Sequence, residues 1–152
     1  MDDLKDLHYS EDRDERRKDT GEVFTPDWLV DKMLSTNGRD EKFWKEFSES
    51  DELCIDSTCG SGQFLVGYAR KGVRLDQILG VDLMEDNIET CKRRLTEIYL
   101  KKGMELGDEN TPGTIKYHLE RNIICADALT YHYEFWWHKT EQEKENELFD
   151  EF

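Results

Sequence analysis

The stretch DSTCGSGQFL, Asp56 to Leu65, decides how the chain is read. Three small residues, Gly60, Ser61 and Gly62, stand between the short apolar run LCID and the apolar helix start QFLVGYARKG. A turn so poor in side chains lets a ligand approach backbone amides. LCID is predicted as a strand that ends in an acid. QFLVGYARKG is predicted as a helix that ends near Gly72.

Outward from this turn the pattern repeats. QILGVDL, Gln77 to Leu83, reads as a second strand ending at Asp82. EDNIETCKRRLTEIYLKKG reads as a helix with Ile88, Cys91, Leu95 and Ile98 on one face, acids leading, lysines trailing and Gly103 closing it. GDENTPG is a turn-rich loop. TIKYHLERNIICAD holds a third strand, Ile123 to Ala126, that ends at Asp127. Strands alternating with helices imply an α/β fold with a parallel sheet and right-handed crossovers, Rossmann-like in kind. Ligands of such sheets bind beyond the carboxyl ends of the strands, where Asp56, Asp82 and Asp127 gather.

Before the first strand, TPDWLVDKML reads as a helix capped by Thr25. Pro26 stands at its first position, and Trp28 or Leu29 with Lys32-Met33 forms its inner face. DEKFWKEFSES reads as a second helix with Phe43, Trp44 and Phe47 as core.

The spacing of the glycines narrows the ligand. A dinucleotide site would use Gly-x-Gly-x-x-Gly to seat a pyrophosphate. Here Gly60-x-Gly62 is followed by a third glycine, Gly67, five residues on. Asp56 stands four residues before Gly60, where its carboxylate would repel a pyrophosphate and attract an ammonium group. S-adenosylmethionine has an amino-acid head, a sulfonium, a ribose and an adenine, and no phosphate. Asp82 suits two ribose hydroxyls, and Asp127 the exocyclic amine of adenine. Each acid alone also reads as a helix cap.

The residues also resemble a family. DSTCGSGQFLV is similar to the Asp-Pro-x-Cys-Gly-Ser-Gly-x-Phe-Leu motif of S-adenosylmethionine-dependent N6-adenine DNA methyltransferases of restriction-modification systems. GEVFTPDWLVDKML resembles the segment before that motif, in which a Phe-Thr-Pro run closes over the methionine end of the cofactor. LGVDLMEDNIETCKRRL resembles the second motif and NIICADAL the third. The resemblance runs from Gly21 to Leu129. It implies that Asp56, Gly60 and Gly62 line the methionine moiety and that Thr25 and Pro26 flank it. It implies Asp82 at the ribose and Asp127 with Ala128 at the adenine. The motif neighbours Thr58, Ser61, Phe64 and Leu83 complete the implied cofactor-binding set. The family's catalytic Asn/Asp-Pro-Pro-Tyr/Phe is absent, because the two prolines, Pro26 and Pro112, are not adjacent. The expectation is therefore a truncated sheet, the cofactor half of an enzyme that does not methylate DNA alone. The alternatives are a non-catalytic regulatory or anti-restriction protein and an enzyme that cleaves the cofactor itself.

Composition bounds the rest. The 152 residues suit one core. A net charge of −15 argues against this chain holding DNA unless a partner subunit supplies a basic surface. Cys54, Cys59, Cys91 and Cys125 have no metal-ligand spacing and read as buried free thiols of a reducing compartment. No metal site is expected, His132 and His138 included. No apolar run approaches the ~20 residues of a membrane span. The N-terminus lacks the apolar core of a signal peptide, so a cytoplasmic protein is expected.

Three regions are drawn. Residues 1–20 form a charged arm, with eight acids and five bases in the first nineteen positions. Residues 21–130 form the cofactor domain. Residues 131–152 form an aromatic tail, YHYEFWWH at its head, read as a lid on the sheet edge, followed by an acidic end. An unpaired third strand at the edge points to a protein partner or a homo-oligomer.

Overall fold

The computed structural model describes residues 24–133. The charged arm, most of the aromatic tail and His138 lie outside the described residues. The elements in chain order are α1 (Asp27–Leu34), α2 (Glu41–Glu49), β1 (Cys54–Asp56), α3 (Gln63–Arg70), a 3-10 turn (Leu75–Gln77), β2 (Ile78–Asp82), α4 (Glu85–Lys101), α5 (Ile115–Asn122) and β3 (Ile123–Cys125).

The three strands pair in parallel in the order β1-β2-β3. Cys54 lies opposite Ile78, Gly80 opposite Ile123, and Asp82 opposite Cys125. Helices must carry the chain back between parallel strands, which gives the α/β alternation its physical basis. The fold class is therefore α/β, a small parallel sheet flanked by helices, compatible with a Rossmann-like arrangement. Among the described residues both β1 and β3 are edges, not β3 alone.

Alternate residues of β2 serve two faces. Ile78 belongs to the main core with Leu65, Val66, Ile88, Cys91, Leu95, Ile115 and Ile123. Gly80 is on that face too. A Cβ there would stand 2.6 Å from Leu65 Cδ1 and 3.1 Å from Cys59 Cβ, so the missing side chain lets α3 and the turn before it close onto β2. Leu79 and Val81 form the other face, covered by Ile124, Ala126, Ala128, Tyr131 and Tyr133. The head of the aromatic tail thus packs on the sheet face through Tyr131 and Tyr133, whose rings meet edge to face at 5.3 Å.

Helix α4 has the expected form. Glu85 and Asp86 occupy its first turn, Lys101 its last, and Gly103 follows in the left-handed region. Its buried face runs Asn87, Ile88, Cys91, Leu95 and Tyr99, with Ile98 at the margin. Helix α2 is capped by Asp40, whose side chain accepts from Phe43 N at 2.9 Å. Its core residue is Trp44, whose Nε1 donates to Leu34 O at 2.9 Å.

Four expectations need correction. Thr25 does not cap α1. Pro26 is the N-cap residue, with extended backbone and no side-chain cap bond. Its inner face is Val30 and Leu34, while Trp28 is 68% exposed and Met33 44%. Residues 115–122, read with the third strand, form the separate helix α5 with Ile115 and Leu119 buried. Cys125 is exposed, because β3 is an edge and its thiol lies outside both cores, near Leu83 O at 3.5 Å. Among the described residues no helix is long and apolar enough to cross a membrane.

Candidate functional site

The parallel register delivers three carboxylates to one side of the sheet. Asp56 ends β1, Asp82 ends β2, and Asp127 stands two residues past β3. They border an open cavity of about 1180 Å³.

The turn between β1 and α3 is built by hydrogen bonds that leave it little freedom. Asp56 Oδ1 accepts from Thr58 N at 3.0 Å. Cys59 N donates to Val81 O at 2.9 Å, and Gly60 N donates to Asp82 Oδ2 at 2.9 Å. Gly62 N then donates to Cys59 O at 2.9 Å and opens the helix. Gly62 has φ +93°, and a Cβ there would lie 2.7 Å from Cys91 Sγ. Both conditions select glycine.

Of the expected positions, Thr25, Asp56, Thr58, Gly60, Phe64, Asp82, Leu83, Asp127 and Ala128 line the cavity. Pro26, Ser61 and Gly62 do not. Pro26 starts α1, where its carbonyl accepts from Leu29 N and Val30 N. Ser61 is buried, with its Oγ accepting from Gln63 Nε2 at 2.7 Å and its carbonyl from Arg94 Nη1 at 3.2 Å. Gly62 lies beneath the turn against Cys91, so it shapes the cavity without lining it.

Asp82 differs from expectation in a second way. Oδ2 holds Gly60 N, and Oδ1 accepts from Met84 N at 2.8 Å and Asn87 Nδ2 at 3.3 Å. A carboxylate offers about four lone-pair sites. Three are spent inside the protein, which leaves one for an outside donor where two ribose hydroxyls would need two.

Asp56 and Asp127 are more open. Asp127 Oδ1 accepts from Leu129 N at 2.9 Å. The second oxygen of each accepts nothing among the described residues. Burial raises the Asp56 carboxyl above its ordinary value, and the Asp82 charge adds to the rise against the Thr58 hydrogen bond.

No lysine, arginine or histidine among the described residues lines the cavity. Among them no group of three potential ligands is placed to hold a metal ion. The site is thus a set of separate acceptors in an apolar surround that includes Phe24, Leu83 and Leu129. Such a surface attracts a cation and repels a phosphate.

Neither a family model, nor a curated protein, nor a solved structure matches this chain. The site therefore rests on its own geometry.

Several lining residues lie outside the expected site positions: Ile55, Gln63, Met84, Leu129 and Tyr133, while Phe24 belongs to the Phe-Thr-Pro run expected to close over the cofactor. Met84 and Leu129 each follow a strand-end acid by two residues, a regularity legible once the strands are placed. Tyr133 belongs to the aromatic stretch YHYEFWWH, which reads as a lid on the sheet edge and not as part of the site. It reaches the cavity because its hydroxyl donates to Ala128 O at 2.8 Å.

Proposed function

We propose that the cavity binds S-adenosylmethionine and that the chain is the cofactor-binding part of a cytoplasmic protein similar to N6-adenine DNA methyltransferases. One observation carries the reading: among the described residues three aspartates and no basic side chain line a cavity at the carboxyl ends of parallel strands. The ligand has two cationic centres, an adenosine and no phosphate, which is the complement of that lining.

In this reading Asp56 receives the cationic head through its open oxygen. Asp82 holds the turn and gives its last lone pair to one ribose hydroxyl. Asp127 accepts from the adenine amine, between the apolar Leu83 and Ala128. Phe24 and Thr25 close the methionine end. The cofactor, when bound, supplies an activated methyl group.

The acceptor-binding part is assigned to another polypeptide or segment, because the Pro-Pro catalytic motif does not occur in this sequence. Among the described residues the outer edge of β1 is unpaired and Ile55 is 51% exposed, which is compatible with further strands joining there. The net charge of −15 favours a second reading, a non-catalytic subunit that regulates a DNA-modifying complex.

Calorimetry with S-adenosylmethionine and S-adenosylhomocysteine tests the cofactor. The expected result is binding of both by the wild-type chain, weakened about tenfold or more for S-adenosylmethionine in Asp56→Asn. Binding of neither ligand by wild type sinks the proposal. Methyl transfer to unmethylated DNA by the chain alone would refute the assignment of the acceptor site elsewhere.

A further inference from the structure

A second concavity, of about 410 Å³, opens on the outer side of α3 and α4, away from the strand ends. Its character is the reverse of the first. Arg70, Arg94, Lys101 and Lys102 line it, against one carboxylate, Glu97. Arg94, Glu97 and Lys101 recur at helical spacing along α4, and Arg70 meets them from the last turn of α3. In a chain of net charge −15, this concentration of cations is local and opposite to the whole.

The cations are under-compensated. Arg70 and Arg94 share one carboxylate, Asp27, each at 3.5 Å, and Asp27 is itself 53% exposed. Lys101 has no ion-pair partner among the described residues. Serving the negative ends of the two helices accounts for Lys102, which donates to Ala69 O at 2.5 Å, and in part for Arg70. It does not account for Arg94, which sits mid-helix, is only 19% exposed, and is held in place by its bond to Ser61 O at 3.2 Å. A guanidinium held by Ser61 O and Asp27 Oδ1 is fixed in place and keeps N–H donors for a further acceptor. Val66 and Ile98 supply an apolar wall beside it.

We propose that this pocket is an anion site for a small oligophosphate, whose simplest occupant is inorganic pyrophosphate. The pocket's size and concavity suit a compact dianion or larger, and the guanidinium forks of Arg70 and Arg94 match its paired oxygens. The extended backbone of duplex DNA is disfavoured by the net charge of −15 carried by the whole chain.

The test is calorimetry of the full chain with inorganic pyrophosphate at low ionic strength, on wild type, Arg70→Gln and Lys101→Gln. Both side chains are surface groups, and thermal unfolding checks that each variant is folded. Pyrophosphate is expected to bind wild type, and each substitution to weaken it about three- to tenfold. Duplex DNA is expected not to displace it. Absence of binding to folded wild type, affinity unchanged in both variants, or displacement by duplex DNA would each overturn the proposal.

Discussion

The backbone amide of Gly60 donates to Asp82 Oδ2 at 2.9 Å, across twenty-two residues of sequence. The turn after β1 is thereby fastened to the end of β2. One side chain organises the loop and also borders the cavity, so the site and the local fold share an energetic term.

Asp82→Ala is expected to destabilise the protein by about 2–3 kcal/mol, because Gly60 N and Met84 N both lose a charged acceptor in part-buried positions. Denaturant unfolding measures the loss. Hydrogen exchange of the Gly60 amide should accelerate more than the global change requires. An unchanged Gly60 exchange rate would show that the turn does not depend on Asp82.

Gly62→Ala is expected to cost about 2–4 kcal/mol, from backbone strain at φ +93° together with overpacking against Cys91. The two parts are separable. In the Cys91→Ala background the 2.7 Å clash with Sγ is gone, leaving the strain and a milder 3.3 Å contact with Cβ. A double-mutant cycle should therefore return a favourable coupling of about 1 kcal/mol or more. Strict additivity would mean that Cys91 yields freely.

Asp56 gives a pH-dependent signature with a defined sign. Its folded carboxyl is raised above the ordinary 3.8, first by burial and then by the charge of Asp82. As pH rises, the unfolded chain ionises here first, so folding pays a penalty that is complete above the raised value and absent below 3.8. Asp56→Asn keeps an acceptor for Thr58 N and removes the charge. Its Tm should exceed that of wild type at neutral pH, and the gap should close as pH falls through the folded value towards 3.8. A gap that widens in acid reverses the sign and defeats the prediction.

The thiols should separate cleanly. Burial pushes the Cys54 thiol up to about 12, and Cys59 is raised further by its contact with Cys91. Cys125 is exposed. Under native conditions a maleimide reagent should add once per chain, at Cys125, with the other three labelled only on unfolding. Mass spectrometry of the intact protein and its peptides decides. Rapid native labelling of Cys59 or Cys91 would mean that the turn opens readily.

The local pattern of the sequence determined the alternation of strand and helix, the glycine turn, both ends of α4 and the placing of three acids at the strand ends. These follow from periodicity, capping and backbone freedom, which act over a few residues. Helix α5 was not legible, because its eight residues bury little beyond Ile115, Leu119 and Asn122, and its neighbours are polar. The inner face of α1 was not legible either: Trp28 is more apolar than the site it occupies, and only packing on α3 selects Val30 and Leu34. Only the tertiary structure decided that Asp82 spends three lone pairs on the protein, that Gly62 faces Cys91 rather than the cavity, and that Arg70 and Lys101 meet in one basic pocket. Gly60 and Asp82, Gly62 and Cys91, and Arg70 and Lys101 each stand more than twenty residues apart, and no short-range rule carries information across a parallel crossover.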